Sequence, residues 1–159
     1  MLQFTPIDLA RDSDTCIRFR EDSYICSFGD AALFYGDDRR GVERYVQFLT
    51  ERMASFPGSC QHAWLGDRIV GQLEMGRVRA DPSIGYVNLF YLIPEMRGQG
   101  LGAELDDRAQ SFFVERGLRR ARLSVALHNA SAWRFYMKRG WVDQGPSSAP
   151  DVHWLDKQY

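Results

Sequence analysis

The chain has 159 residues, 45 % apolar and 26 % charged, and its 20 Lys and Arg against 21 Asp and Glu leave a net charge of −1. That is enough chain for one hydrophobic core, so residues 1–159 are read as a single domain. The near-zero charge argues against a dedicated nucleic-acid binder. The uncharged stretches Met53 to Gly66 and Pro82 to Pro94 are 14 and 13 residues, short of the roughly 18 that a membrane-spanning helix needs, so no membrane association is expected.

Leu2 to Ile7 alternates apolar and polar residues and predicts a strand. Helical spacing follows over Thr15 to Cys26, and again over Val42 to Met53, where Val42, Tyr45, Val46, Phe48, Leu49 and Met53 form one stripe. Gln61–Leu65 and Arg68–Arg77 predict a hairpin turning at Gly66-Asp67, and Ile84 to Leu92 is a strand rich in β-branched and aromatic residues, ended by Pro94. Gly100 to Arg116 is a helix with Leu101, Leu105, Ala109, Phe112 and Phe113 on one face, and Gly117 stops it. Arg120 to Ala126 is a strand, Ala130 to Arg139 a short helix, and Trp141–Gln144 and Val152–Leu155 are the last strands. The strands at Ile84 and Arg120, joined through a helix, form a β-α-β unit and should be parallel. The fold class is therefore α/β (α+β), a mixed sheet with helices.

Cys16, Cys26 and Cys60 are odd in number and form no C-x-x-C, and His62, His128 and His153 are scattered. No metal is expected, and the thiols suit a reducing compartment, hence a cytoplasmic protein. The start of the chain lacks the basic lead and apolar run of a secretory signal.

Arg97-Gly98-Gln99-Gly100-Leu101-Gly102 joins a buried strand to a helix. Glycines allow positive φ, and a helix start offers unpaired N–H groups at its positive end, so the loop is a candidate phosphate cradle. Gly98-x-Gly100-x-x-Ala103 also fits the dinucleotide fingerprint, but the acidic residue required about 20 positions on is missing. Residues 116–142 carry seven basic side chains and no acid, a charge that would draw a phosphorylated ligand to this half.

These residues resemble the GNAT superfamily of N-acetyltransferases. Its acyl-CoA signature is matched by Arg97 through Gly102, after the lead-in Leu92-Ile93-Pro94-Glu95-Met96. Its second block is matched by Asn129, Ala132, Phe135, Tyr136, Gly140 and Trp141. The resemblance implies a mostly antiparallel sheet flanked by helices, and transfer of an acetyl group from acetyl-CoA to a primary amine by direct attack. It implies that the backbone of Phe90, Tyr91 and Leu92 holds the pantetheine arm on a splayed strand. The stretch Arg97, Gly98, Gln99, Gly100, Leu101, Gly102 and Ala103 takes the pyrophosphate, and Asn129 contacts the arm. Tyr136 stands at the sulfur as general acid. A phenol with a pKa near ~10 is protonated at neutral pH and can donate to a thiolate whose acid has a pKa near ~8.5.

Where family members place a base, this chain has Tyr86 and Asn88, read as lining the site, and Glu74 on the preceding strand is the base candidate. Glu21, Asp22, Asp37 and Asp38 with nearby aromatics would suit a cationic acceptor, although Arg39 and Arg40 offset the last two. The acceptor is a small amine or a protein N-terminus or lysine, and the late strands allow a homodimer. The competing reading is a non-catalytic acyl-CoA-binding or sensor module of the same fold.

Overall fold

The computed structural model describes residues 1–159. Seven strands form one sheet in the order β1-β2-β3-β4-β5-β7-β6. They are β1 (Gln3–Pro6), β2 (Cys60–Leu65), β3 (Arg68–Arg77), β4 (Gly85–Leu92), β5 (Arg120–Ala126), β6 (Val142–Pro146) and β7 (Val152–Gln158). Every neighbouring pair is antiparallel except β4 and β5, which are parallel as the β-α-β reading requires. The helices are α1 (Leu9–Phe28), α2 (Ala32–Tyr35), α3 (Gly41–Ser55), α4 (Leu101–Glu115) and α5 (Ala130–Lys138). None is long and apolar enough to cross a membrane.

Beyond shifts of one or two residues at element ends, three differences from the sequence reading stand out. Helix α1 begins six residues before Thr15, because Asp8 caps it and the polar run Ala10–Asp14 winds on with a kink at Asp12. The single turn α2 has too little periodicity to be read. Strand β7 continues three residues past Leu155 because its charges are partnered: Asp156 takes Arg120 and Arg122, and Lys157 reaches Asp106.

Helix α4 buries Leu105, Ala109, Phe112 and Phe113, the predicted stripe, against Leu73, Met75, Val87, Leu123 and Leu155 of the sheet. Each large apolar side chain buried there contributes about 1.5–3 kcal/mol. A smaller cluster of Ile7, Cys16, Phe34, Tyr45, Leu49 and Cys60 lies beneath α1–α3. One acid sits inside the α4 layer. Asp106 is fully buried and accepts from Trp141 Nε1 at 3.0 Å, Arg139 Nε at 2.7 Å and Lys157 Nζ at 2.8 Å. It ties α4 to the end of α5 and to β7.

The basic surplus of residues 116–142 is largely consumed within the fold. Arg120 and Arg122 grip Asp156, Arg139 grips Asp106 and Asp107, and Arg116 lies beside Glu115. Arg119, Arg134 and Lys138 make no ion pair, so part of the surplus stays available to a phosphate.

Candidate active site

Strands β4 and β5 pair only at Gly85↔Ala121 and Tyr86↔Arg122. Beyond Tyr86, β4 stays with β3 as far as Leu92, while β5 stays with β7 as far as Ala126. The two central strands therefore part, and the facing edge of β4 from Val87 onward has no sheet partner for its N–H and C=O groups. Such groups need a partner when they are screened from water.

At the wide end of this notch lies the glycine turn. Gly98 and Gly100 hold φ of +73° and +83°, which only glycine adopts without strain, and a Cβ at either would meet nothing within 4 Å. No side chain caps α4, and while Ala103 N donates to Gly100 O at 3.2 Å, the N–H groups of Leu101 and Gly102 are left unpaired at the positive end of the helix dipole. That combination fits a pyrophosphate. Arg97 is turned away from the cradle. Its Nε donates to Leu92 O at 2.9 Å and its Nη2 to Asp22 at 2.6 Å, where the Tyr91 hydroxyl also donates. Arg97 thus straps the turn to β4 and α1, and Gln99 donates to Glu95 O.

Across the notch, Asn129 caps α5 by accepting from Ala132 N at 3.3 Å. The helix presents Tyr136 with its ring 6.1 Å from that of Phe90 on β4 and 6.1 Å from that of Trp141. Its hydroxyl has no hydrogen-bond partner in the protein, and burial, then the Asp106 charge, push the phenol up from its ordinary value. A phenol shifted that way keeps its proton throughout the working pH range. No group of three His, Cys, Asp or Glu side chains gathers as a metal site.

The chain belongs to the acetyltransferase (GNAT) family. The family model matches residues 19–141, which include both halves of the notch. An uncharacterized N-acetyltransferase of Archaeoglobus fulgidus is 38 % identical over 53 residues, which is 33 % of this chain and 36 % of that relative. The chain therefore spans about a third of the curated relative it matches. Among solved structures, the PaiA N-acetyltransferase of Thermoplasma acidophilum in complex with coenzyme A superposes with a TM-score of 0.79 at 17 % identity, covering 100 % of this chain and 99 % of that one. An acetyltransferase from Thermus thermophilus superposes at 0.73 with 20 % identity, covering 100 % and 97 %. Both likenesses are of fold.

On the sheet face covered by α1 and α3, the positions expected to line the GNAT site have particular partners. Tyr86 bridges to β5 through Ser124 at 3.3 Å, with its ring edge-on to Trp154. Asn88 has no cross-strand partner, because Glu74 pairs Leu89 and Met75 pairs Val87. In this β-bulge, Arg52 Nη1 donates to Asn88 Oδ1 at 2.7 Å and to Met75 O at 2.6 Å, and Arg20 Nη1 donates to Asn88 O at 3.1 Å. Sequence reasoning missed both arginines. Each extends the buried stripe of its helix: Arg20 follows Cys16 and Phe19, and Arg52 follows Tyr45 and Leu49.

Glu74, the base candidate, is fully buried rather than open to the notch. Its Oε2 accepts from the Tyr45 hydroxyl at 2.6 Å and from Gln72 Nε2 at 2.8 Å, while Oε1 has no hydrogen bond and lies 3.9 Å from Arg20 Nη2. A carboxylate so enclosed cannot take a proton from an amine directly. It holds Arg20 instead: burial opposes the arginine's charge, and Glu74 together with Tyr45, Tyr24 and Tyr86 outweighs that, so the guanidinium stays charged. Three of the four acids expected to attract a cationic acceptor are also occupied, Asp37 being the exception. Glu21 accepts from Tyr35, Asp22 from Tyr91 and Arg97, and Asp38 from Arg44.

The buried polar chain runs on from Gln72 to His62 Nε2 at 3.0 Å, with Cys16 Sγ 3.5 Å from the same nitrogen. Burial pulls the His62 pKa below its ordinary value, against the opposing effects of Gln72 and Asp12. A group that is harder to protonate when folded binds more protons unfolded. Stability should therefore be complete above about pH 6.5 and fall as pH drops below it. Urea midpoints between pH 5 and pH 8 should show this decline, and His62→Gln should flatten it. An equal slope in the variant would place the titration elsewhere.

Proposed function

We propose that the chain transfers the acetyl group of acetyl-CoA to a primary amine. What carries the reading is the parting of β4 from β5 after Tyr86, with Tyr136 packed against Phe90 at the opened edge. The glycine turn and the uncapped start of α4 would hold the pyrophosphate, and the free edge of β4 from Phe90 to Leu92 would bond the pantetheine amides. Asn129 keeps its amide NH₂ to donate to the same arm.

Acetyl-CoA supplies a thioester. N–H groups on the unpaired β4 edge would stabilise the oxyanion as the amine nitrogen bonds to the carbonyl carbon, a preorganised contact that needs no reorganisation. The C–S bond breaks, the departing sulfur takes the Tyr136 proton, and the surplus proton of the amine returns to the phenol through solvent. The histidines are engaged elsewhere: His62 is buried, His128 lies 3.7 Å from Asp151, and His153 bonds Asp143. The amine therefore enters the reaction neutral, having lost its first proton to solvent.

Calorimetric titration with acetyl-CoA, using NADH as control, tests the cofactor half. Saturable binding of acetyl-CoA alone is expected. Heat from NADH and none from acetyl-CoA, with folded protein, would overturn the reading. Release of free CoA on adding an amine separates turnover from a module that only binds.

A further inference from the structure

The β4 bulge collects more positive charge than it needs to hold itself together. Arg52 lies flat across Gly76, where a Cβ would sit 2.1 Å from its Nη1, so the strand is shaped to admit the guanidinium. Its aliphatic-side partner is Phe48, with the guanidinium carbon 4.8 Å from the ring centre, and it has no carboxylate within 4 Å. Nη1 is used by Met75 O and Asn88, while Nε and Nη2 donate to nothing in the protein. Arg20 spends one donor on Asn88 O and stands between the rings of Tyr24 and Tyr45, 18 % of its side chain exposed. Only Glu74, behind it, offsets the pair. Arg122, next along this face, is held by Asp156, which it shares with Arg120. Two guanidiniums against one carboxylate leave a net charge of +1 at a half-buried spot beside the notch.

We propose that this pair receives a carboxylate of the acceptor, so that the substrates are short amino acids rather than polyamines. The proposal rests on the acetyltransferase reading and names the acceptor for that same site. A single excess positive charge matches a monoanion, and a guanidinium with Nε and Nη2 both free presents the planar fork that grips a carboxylate in two bonds. The spacing agrees. Asn88 meets the arginines on the face covered by α1 and α3, while Phe90, paired with Leu73 beyond the bulge, packs on Tyr136 on the opposite face; along β4 the two are about 7 Å apart at the notch, through which the faces communicate. An amine a few bonds from its carboxylate spans that gap. A polyamine would bring like charge against Arg52.

The test is CoA release from acetyl-CoA with the full chain, offering the common L-amino acids and β-alanine beside the matched amines that lack the carboxylate. At least one acid should exceed its decarboxylated partner in kcat/KM by about tenfold to 150-fold, the range for hydrogen bonds to a charged group. Arg52→Gln should raise KM for that acid by a similar factor, leave acetyl-CoA affinity unchanged and leave the decarboxylated amine unaffected. Arg52→Lys, which keeps the charge and loses the fork, should fall between. Failure to bind acetyl-CoA would overturn the transferase reading itself. With acetyl-CoA bound, three outcomes would overturn the carboxylate assignment alone: amines as good as their acids, an unmoved KM in Arg52→Gln, or no turnover of any amino acid. The wild-type comparison stands whether or not the variants fold.

Discussion

Tyr136→Phe should lower kcat by roughly 10²- to 10⁴-fold, the span for general acid catalysis, and leave acetyl-CoA affinity within a factor of about two. The change removes one oxygen that bonds nothing in the protein, so folding has little to lose. The ring stays and keeps its packing against Phe90, Phe135 and Trp141. On the proposed mechanism, what disappears is the donor to the departing sulfur, an interaction made in the transition state and not in the ground state, which is the pattern that moves kcat and not binding. The pH profile adds a second reading. Since burial and then the Asp106 charge raise the phenol, wild-type activity should show no loss near pH 10 from ionisation of Tyr136. Single-turnover rates with excess enzyme, alongside calorimetric affinities, separate the two effects. Unchanged turnover would remove Tyr136 from the mechanism.

The geometry of the proposed cofactor side is legible in the amino-acid sequence alone. The glycine turn and the Asn129-to-Trp141 block are short-range patterns in which spacing sets the geometry. A turn with two positive-φ glycines ahead of an uncapped helix can be read as an anion cradle wherever it occurs. Helix α4 is legible for the same reason, its stripe being continuous. The proposed acceptor side is legible only at Asn88. Arg20 and Arg52 reach it from α1 and α3, and the register skip between Glu74 and Met75 leaves Asn88 without a cross-strand partner and open to them. An isolated arginine on an apolar helical stripe is the one signal the sequence offers for either arginine.

Charge misleads in both directions. The seven basic residues from Arg116 to Arg139 suggest an attracting surface, yet three of them, Arg120, Arg122 and Arg139, are taken by Asp156 and Asp106 from β7 and α4. Glu21 and Asp22 suggest a site for cations, yet tyrosines and Arg97 occupy them. Counting charges along a sequence cannot show which are already spent.

The largest expected loss of stability follows from the same accounting. Asp106 and Asp107 are neighbours on α4 and both grip Arg139, but they differ in their surroundings. Asp107 is 65 % exposed, and water replaces what its removal takes away. Asp107→Ala should therefore cost under about 1 kcal/mol, as for other exposed ion pairs. Asp106 is fully enclosed and is the only partner of Trp141 Nε1 and of the largely buried Lys157 ammonium. Asp106→Ala leaves that ammonium and an indole N–H facing a cavity, and breaking a buried pair on one side costs about 3–5 kcal/mol. For a domain of this size that is a fall in Tm of about 10–15 °C, a large share of the roughly 5–15 kcal/mol that a domain has in hand. Thermal unfolding of the two variants in one buffer decides the matter. Equal losses would mean that burial, and not the shared arginine, has been given too much weight. The predicted gap would identify Asp106 as the buried joint fixing α5, and with it Tyr136, to the helix that follows the glycine turn.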